Sequence, residues 1–230
     1  MSEAVIKTKD LYKIYKDVAA EVHAVDGVDI EITKGEFTAI VGPSGSGKTT
    51  LLNLIGGLDH PSKGSVQIGG QEISHLSDNE MIDFRLNNIG FVFQAYNLIP
   101  VLTAKENVEF ITLLQHWPKA KRDQRALELL EAVGLKGKEN NKPGELSGGQ
   151  QQRVAVARAL ASKPTFVLAD EPTANLDSHS TENLLDIMAQ LNQKENITFV
   201  FATHDQRVIN KARRVISVED GKVVKDETKS

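Results

Sequence analysis

Apolar and polar positions alternate loosely through the first thirty or so residues, in Val5-Ile6-Lys7, in Val22-His23-Ala24-Val25 and in Val28-Asp29-Ile30-Glu31-Ile32, with turn signals at Asp26-Gly27 and Lys34-Gly35. A period of two predicts short antiparallel strands there. Residues 37–41 form an apolar run leading into GPSGSGKTT, and the dense apolar stretch 51–55 that follows, up to Gly56-Gly57, predicts a helix. Further strands are predicted at 64–68 and 89–93, with one weak helix over 72–88 between them. Apolar residues then recur at helical spacing over 104–115 and 119–133, as in Ala126, Leu129, Leu130 and Val133. After the turn Lys142-Pro143-Gly144, a helix is predicted over 150–161, separated by Pro164 from the apolar strand 166–169. Ser178 is placed to cap a helix running to about Asn192. Strands at 197–202 and 215–218 follow, Asp220-Gly221 reads as a hairpin turn, and the tail 226–230 is expected to fray.

Strands alternating with helices predict an α/β protein: a mostly parallel sheet with helices on both faces, an antiparallel β portion at the N-terminus and an inserted helical portion. The 230 residues are 40% hydrophobic, enough for a real core. With 27 Lys plus Arg against 31 Asp plus Glu, the net charge of −4 lacks the positive field that drives binding to phosphate backbones, so nucleic acid is not expected as a partner. No run approaches the roughly 18 apolar residues of a membrane-spanning helix. The absence of cysteine excludes disulfides and thiolate chemistry, and the start MSEAVIKTKD lacks the apolar core of a secretory signal, so a cytoplasmic location is expected.

The chemistry begins at Gly42, Pro43, Ser44, Gly45, Ser46, Gly47, Lys48 and Thr49, which match G-x-x-x-x-G-K-[ST] between a predicted strand and a predicted helix. Glycines let the backbone wrap an anion, and the N–H groups opening the helix, with Thr50 next in line, face phosphate oxygens. Lys48 would neutralise the β and γ phosphates, and the Thr49 hydroxyl is a hard oxygen ligand for Mg²⁺. The strand 166–169 runs into Asp170-Glu171, two carboxylates at the sheet edge where such folds bind ligands. Asp170 suits the metal through a bridging water, and Glu171 suits polarisation of an attacking water; an acidic pair after a strand also serves simply as a helix cap. His204, after the strand 197–202, would reach the same edge and donate to the γ phosphate or the attacking water, although a lone histidine is more often structural.

A second glycine-rich helix start, Leu146-Ser147-Gly148-Gly149-Gln150, lies about a hundred residues further on. Read alone it is an ordinary N-cap; its duplication of the first cradle, beside a single acidic pair, suggests that the two meet only across a two-fold dimer with ATP between them. The combination GPSGSGKT, LSGGQ, LADEP and THD resembles the ATP-binding cassette of ABC transporters over nearly the whole chain. IGGLDHPSKGSV, IGFVFQAYNLIPVLTAKENV and LADEPTANLD resemble more narrowly the subfamily that powers lipoprotein release, macrolide or peptide export, and a related cell-division complex. The resemblance implies a single ABC ATPase domain over 1–230 with a helical subdomain at about 95–162, ATP and Mg²⁺ as cofactors, and an ATP-dependent homodimer. It also implies an integral membrane permease as a separate polypeptide, with the cassette on the cytoplasmic face of that membrane.

At matched positions it implies that Tyr15 stacks on adenine, with Tyr12 the nearby competitor and a plain strand aromatic the alternative. It implies too that Gln94 touches Mg²⁺ or water and links the nucleotide to the helical subdomain, and that Ala174-Asn175-Leu176-Asp177 is a loop crossing the dimer interface, with Asp177 its main polar residue. Thr49 stands where serine is commoner and keeps the hydroxyl. Phe93, Tyr96, Leu98, Ile99, Val101 and Leu102 would lie near a groove for a permease helix, or in the chain's own core. Rival readings are an ATP switch that regulates a partner without transport, a nucleic-acid-associated ABC ATPase, which would need coiled coils, duplicated cassettes or basic arms, and a monomeric P-loop kinase, which would leave residues 146–150 without a purpose.

Overall fold

The computed structural model describes residues 3–16 and 21–229. The N-terminal alternation builds β1 (Ala4–Lys16), β2 (Glu21–Val28) and β3 (Glu31–Thr33), with β2 and β3 both antiparallel to β1. The first of the expected short strands is thus one strand of 13 residues, bent where Asp10 takes a positive φ of 46° and its N–H bonds the Asp29 carboxylate. The apolar run β4 (Phe37–Val41) passes through the glycine loop into α1 (Lys48–Ile55). β5 (Lys63–Ile68) and β6 (Gln71–Glu72) return to the first sheet, whose order is β2-β1-β5-β6 with β3 beside β1.

The weak helix expected over 72–88 is shorter: α2 (Asp78–Asn88) starts where Ser77 and Glu80 form a reciprocal capping box, and the residues before it go into β6 and a turn. After β7 (Ile89–Val92) come α3 (Ala104–Leu114), capped by Thr103 with Glu106, and α4 (Lys119–Ala132). α5 (Gly148–Leu160) begins two residues earlier than its apolar pattern, because its cap is Ser147. Beyond β8 (Phe166–Asp170), α6 (Ser178–Glu195) is capped by Asp177 and not by Ser178. β9 (Thr198–Thr203) leads to α7 (Gln206–Lys211), a short helix without enough residues to show a period. β10 (Arg214–Glu219) and β11 (Lys222–Thr228) form the final hairpin, with Asp220 and Gly221 both at positive φ. The tail expected to fray is therefore strand as far as Thr228, and Asp226 holds Arg214 in a two-pronged ion pair; Ser230 lies outside the described residues.

The second sheet has the order β11-β10-β4-β9-β8-β7, parallel except for β11. Alternate residues of its strands serve two cores. Ile40, Phe166, Leu168, Val200, Ala202 and Ile216 pack with α1 and the antiparallel sheet, so that α1 lies between two sheets. Phe37, Ala39, Val167, Ala169, Phe199 and Phe201 pack on the other face against the apolar sides of α5, α6 and α7. This double burial is why the strands read as unbroken apolar runs. The registers Val41 with Thr203 and Asp170 with Ala202 bring the ends of β4, β8 and β9 to one level, so the segments that follow them leave the sheet side by side.

Phe201 is fully buried, with its ring centroid 4.7 Å from that of Phe37 on the neighbouring strand. Phe201→Ala should destabilise the chain by about 3–5 kcal/mol, seen as a lower midpoint with unchanged slope in urea unfolding; an unchanged midpoint would contradict this packing.

Candidate functional site

A cleft of about 900 Å³ opens where β4, β8 and β9 end. Pro43, Ser44, Gly45, Gly47, Lys48, Thr49 and Thr50 line one wall, and Gln94, Glu171 and His204 another. The loop can only be made of glycine at its tight points. Gly47 has φ 101°, and a Cβ there would stand 2.1 Å from the carbonyl oxygen of Ala24; at Gly42 it would stand 2.1 Å from that of Val218. Gly42 therefore shapes the loop without lining the cleft. Ser46 is also turned inward: its hydroxyl is buried without a hydrogen-bond partner, while its carbonyl accepts from Gly221. Lys48 is 8% exposed, and its ammonium donates to the carbonyls of Gly42 (2.9 Å) and Pro43 (2.8 Å). A buried cation held over open N–H groups at a helix start is a preformed anion site.

The Thr49 hydroxyl donates to Asp170 Oδ1 across 3.1 Å. Burial pushes the Asp170 carboxyl up from its ordinary range, the Glu171 charge adds to this, and Thr49 and Lys48 pull it back. Two hard oxygen donors, one of them a carboxylate whose charge is poorly compensated, suit a divalent cation such as Mg²⁺. Among the described residues no group of three or more His, Cys, Asp or Glu side chains is placed to hold a metal ion by itself.

Glu171 carries a positive φ of 44°, unusual for a residue with a side chain. The surroundings enforce it. Its N–H donates to Ala202, Thr203 Oγ1 donates to its Oε2 at 3.0 Å, and His204 Nδ1 lies 2.6 Å from its Oε1. Opposite a carboxylate, Nδ1 carries the proton, which leaves Nε2 free for a further partner. His204, expected to reach a phosphate or water directly, is thus found against the carboxylate itself.

Tyr15 does not line the cleft. It stands at the rim beside Thr50, its hydroxyl donating to Asp59 Oδ2 at 2.8 Å, and burial with the Asp59 contact pushes its pKa up. Tyr12, the competitor, places its hydroxyl against Gly27 within the sheet. Gln94 faces the cleft, with its carbonyl accepting from Asn175 Nδ2 at 3.0 Å. Sequence reasoning missed Val22, His23, Ala24, Asp220 and Gly221, all of which line the cleft, while Ala174, expected in the interface loop, lines it too. Asp220-Gly221 was legible as a turn, but its approach to the loop rests on pairing across the sheet that no local signal reveals.

The second cradle lies elsewhere. Ser147 accepts from the N–H of Gln150, whose side chain accepts from the N–H of Ser147, a complete capping box. Ser147 and Gly149 line a separate recess of about 270 Å³ with Arg153, His179, Ser180 and Asn183, and none of Ser147, Gly148, Gly149 and Gln150 lines the first cleft. Asp177 accepts from the backbone and hydroxyl of Ser180, which holds its carboxyl below the usual range. A third feature is an apolar groove of about 480 Å³ between α2, α3 and β7. Phe93 and Ile99 line it, whereas Leu98 packs on the core and Val101 is 71% exposed.

A protein-family model described as "ABC transporter" matches residues 25–174. The chain is 45% identical over 225 residues to the macrolide export ATP-binding/permease protein MacB of Mannheimia succiniciproducens, covering 98% of this chain and 35% of that protein, and so spans about a third of that relative's length. It is 43% identical over 221 residues to the lipoprotein-releasing system ATP-binding protein LolD of Legionella pneumophila, covering 96% of this chain and 97% of that one. Among solved structures, the ATP-binding cassette MJ0796, a dimer in a post-hydrolysis state bound to ADP and Pi, is similar with a TM-score of 0.89 at 44% identity, covering 97% of this chain and 98% of that one.

Lys48→Ala removes the cation of the first cleft and leaves only backbone dipoles. Loss of a charge-assisted contact should weaken ATP binding by roughly 10- to 100-fold, measured by calorimetry; unchanged affinity would contradict the placement.

Proposed function

The chain belongs to the ABC transporter family, and from that premise we propose that it is an ATP-binding and ATP-hydrolysing cassette that closes in pairs over two ATP molecules and drives a membrane permease. The observation that carries this reading is the convergence of the glycine loop and Glu171 on one cleft, with Asp170 bonded to Thr49 of that loop and the Ser147 cradle in a separate recess. One chain encloses the triphosphate on one side only. A second copy related by a two-fold axis would supply Ser147 and its helix start to the exposed γ phosphate, and the exchange is reciprocal. The differential affinity of closed and open pairs for ATP then supplies the work.

In this reading Lys48 and the N–H groups of α1 bind the β and γ phosphates, and Tyr15 at the rim takes the adenine ring. Thr49, Asp170 and Gln94 would hold Mg²⁺, which when bound draws charge off the phosphate oxygens. Glu171 orients the attacking water and receives its proton, and its strained backbone fixes where the carboxylate points. Thr203 and His204 hold both oxygens of that carboxylate, and His204 lines the cleft, its Nε2 left for a further partner. Asp177 fixes the entry to α6 and so the course of residues 174–177 at the dimer face.

The apolar groove is the surface for the permease. Leu58, Ile82 and Leu114 line it and are 42%, 52% and 47% exposed, a pattern that fits the apolar side of a partner's helix. The helices of the 95–162 unit form one of its walls. Among the described residues no helix is long and apolar enough to cross a membrane, so the route for the transported substance lies outside the described fold. The similarity to lipoprotein-release and macrolide-export proteins supports export or lipoprotein release as the task, with the cassette on the cytoplasmic side.

Glu171→Gln keeps the size of the side chain and removes its charge. It should retain ATP affinity while turnover falls roughly 10²- to 10⁴-fold, followed by phosphate release; turnover at the wild-type level would exclude Glu171 as the base.

A further inference from the structure

Gln152 has no part in the reading above, yet it is fully buried and its amide bridges two segments that the mechanism uses. Its Nε2 donates to the carbonyl of Pro172 at 2.8 Å and to that of Phe93 at 3.3 Å. Phe93 immediately precedes Gln94, and Pro172 immediately follows Glu171. The orientation of the amide is fixed by chemistry, since the reverse would set its oxygen against two carbonyl oxygens. Its Oε1 is left buried with no partner. An apolar residue of the same shape would avoid that cost, so packing alone does not account for a glutamine here.

The backbone explains what the amide replaces. The ladder between β7 and β8 ends with the pair Val92 and Ala169, and the two chains then diverge toward Gln94 and Glu171. Gln152 spans the gap from α5. The same helix grips the segment again three and four residues beyond Phe93, where Arg158 donates to the carbonyls of Tyr96 (3.0 Å) and Asn97. α5 is capped by Ser147, the residue that would face the partner's nucleotide.

We propose that Gln152 is a positioning residue for hydrolysis: it sets the separation of Gln94 and Glu171, and through α5 it ties that separation to the engagement of Ser147 by the nucleotide of a second copy. This inference rests on the ATPase reading. Gln152→Met keeps the length of the side chain and removes the donor. In the full chain it should lower kcat at least about tenfold while the Kd for ATP stays within about twofold, a split that a general loss of structure does not produce. Combined with Gln94→Ala it should be no slower than Gln94→Ala alone within about twofold, because both act on the same placement. Should Gln152→Met not fold, judged by its thermal midpoint, Gln152→Asn shortens the bridge and carries the same test. Wild-type kcat, a loss confined to KM, or losses that multiply in the double variant would each overturn the proposal. A wild-type chain without ATPase activity would overturn the functional reading instead.

Discussion

The candidate site exists only because three parallel strands end at one level and hold its side chains in place before any ligand arrives. β4 delivers the glycine loop, β8 delivers Asp170 and Glu171, and β9 delivers Thr203 and His204. The three sets are far apart in sequence, and strand register sets their separation. A slip of one residue would turn each side chain to the opposite face of the sheet. The double burial of these strands guards against that, since the residues on both faces are committed to different cores.

The cost of the arrangement is concentrated at Glu171. A left-handed backbone at a residue with a side chain costs of the order of 1–3 kcal/mol and persists only where its surroundings over-determine it. The bonds from Thr203 and His204 and the backbone bond to Ala202 do so. Lys48 shows the same principle in a milder form, its ammonium resting on the carbonyls of Gly42 and Pro43. Both groups are aimed by contacts that exist without ligand, which is what preorganisation requires.

Much of this was legible in the sequence, for local reasons. The loop from Gly42 to Thr49 is a contiguous pattern, and the buried strands 166–169 and 197–202 are unbroken apolar runs. Other features were hidden because their signal is not local. Nothing near His204 announces that it will meet Glu171, 33 residues away. Asp177 was legible as polar but not as the cap of α6, a role that shifted from Ser178 by one residue. Residues 8–16 of β1 show no plain alternation, because the strand bends at Asp10, whose N–H is held by Asp29, and Gln152 lies inside a helix of ordinary pattern. The caps at Ser77 and Thr103 could have been found from the glutamate three residues beyond each.

One chain carries two half-sites that do not meet, the first with Lys48 and the second with Ser147. The most direct measurement is the mass in solution of a hydrolysis-deficient chain, by light scattering with and without saturating ATP at several salt concentrations. The mass should be the 25.2 kDa of a single chain without nucleotide and twice that with it. A mass that stays at one chain under every condition would contradict closure in pairs over ATP.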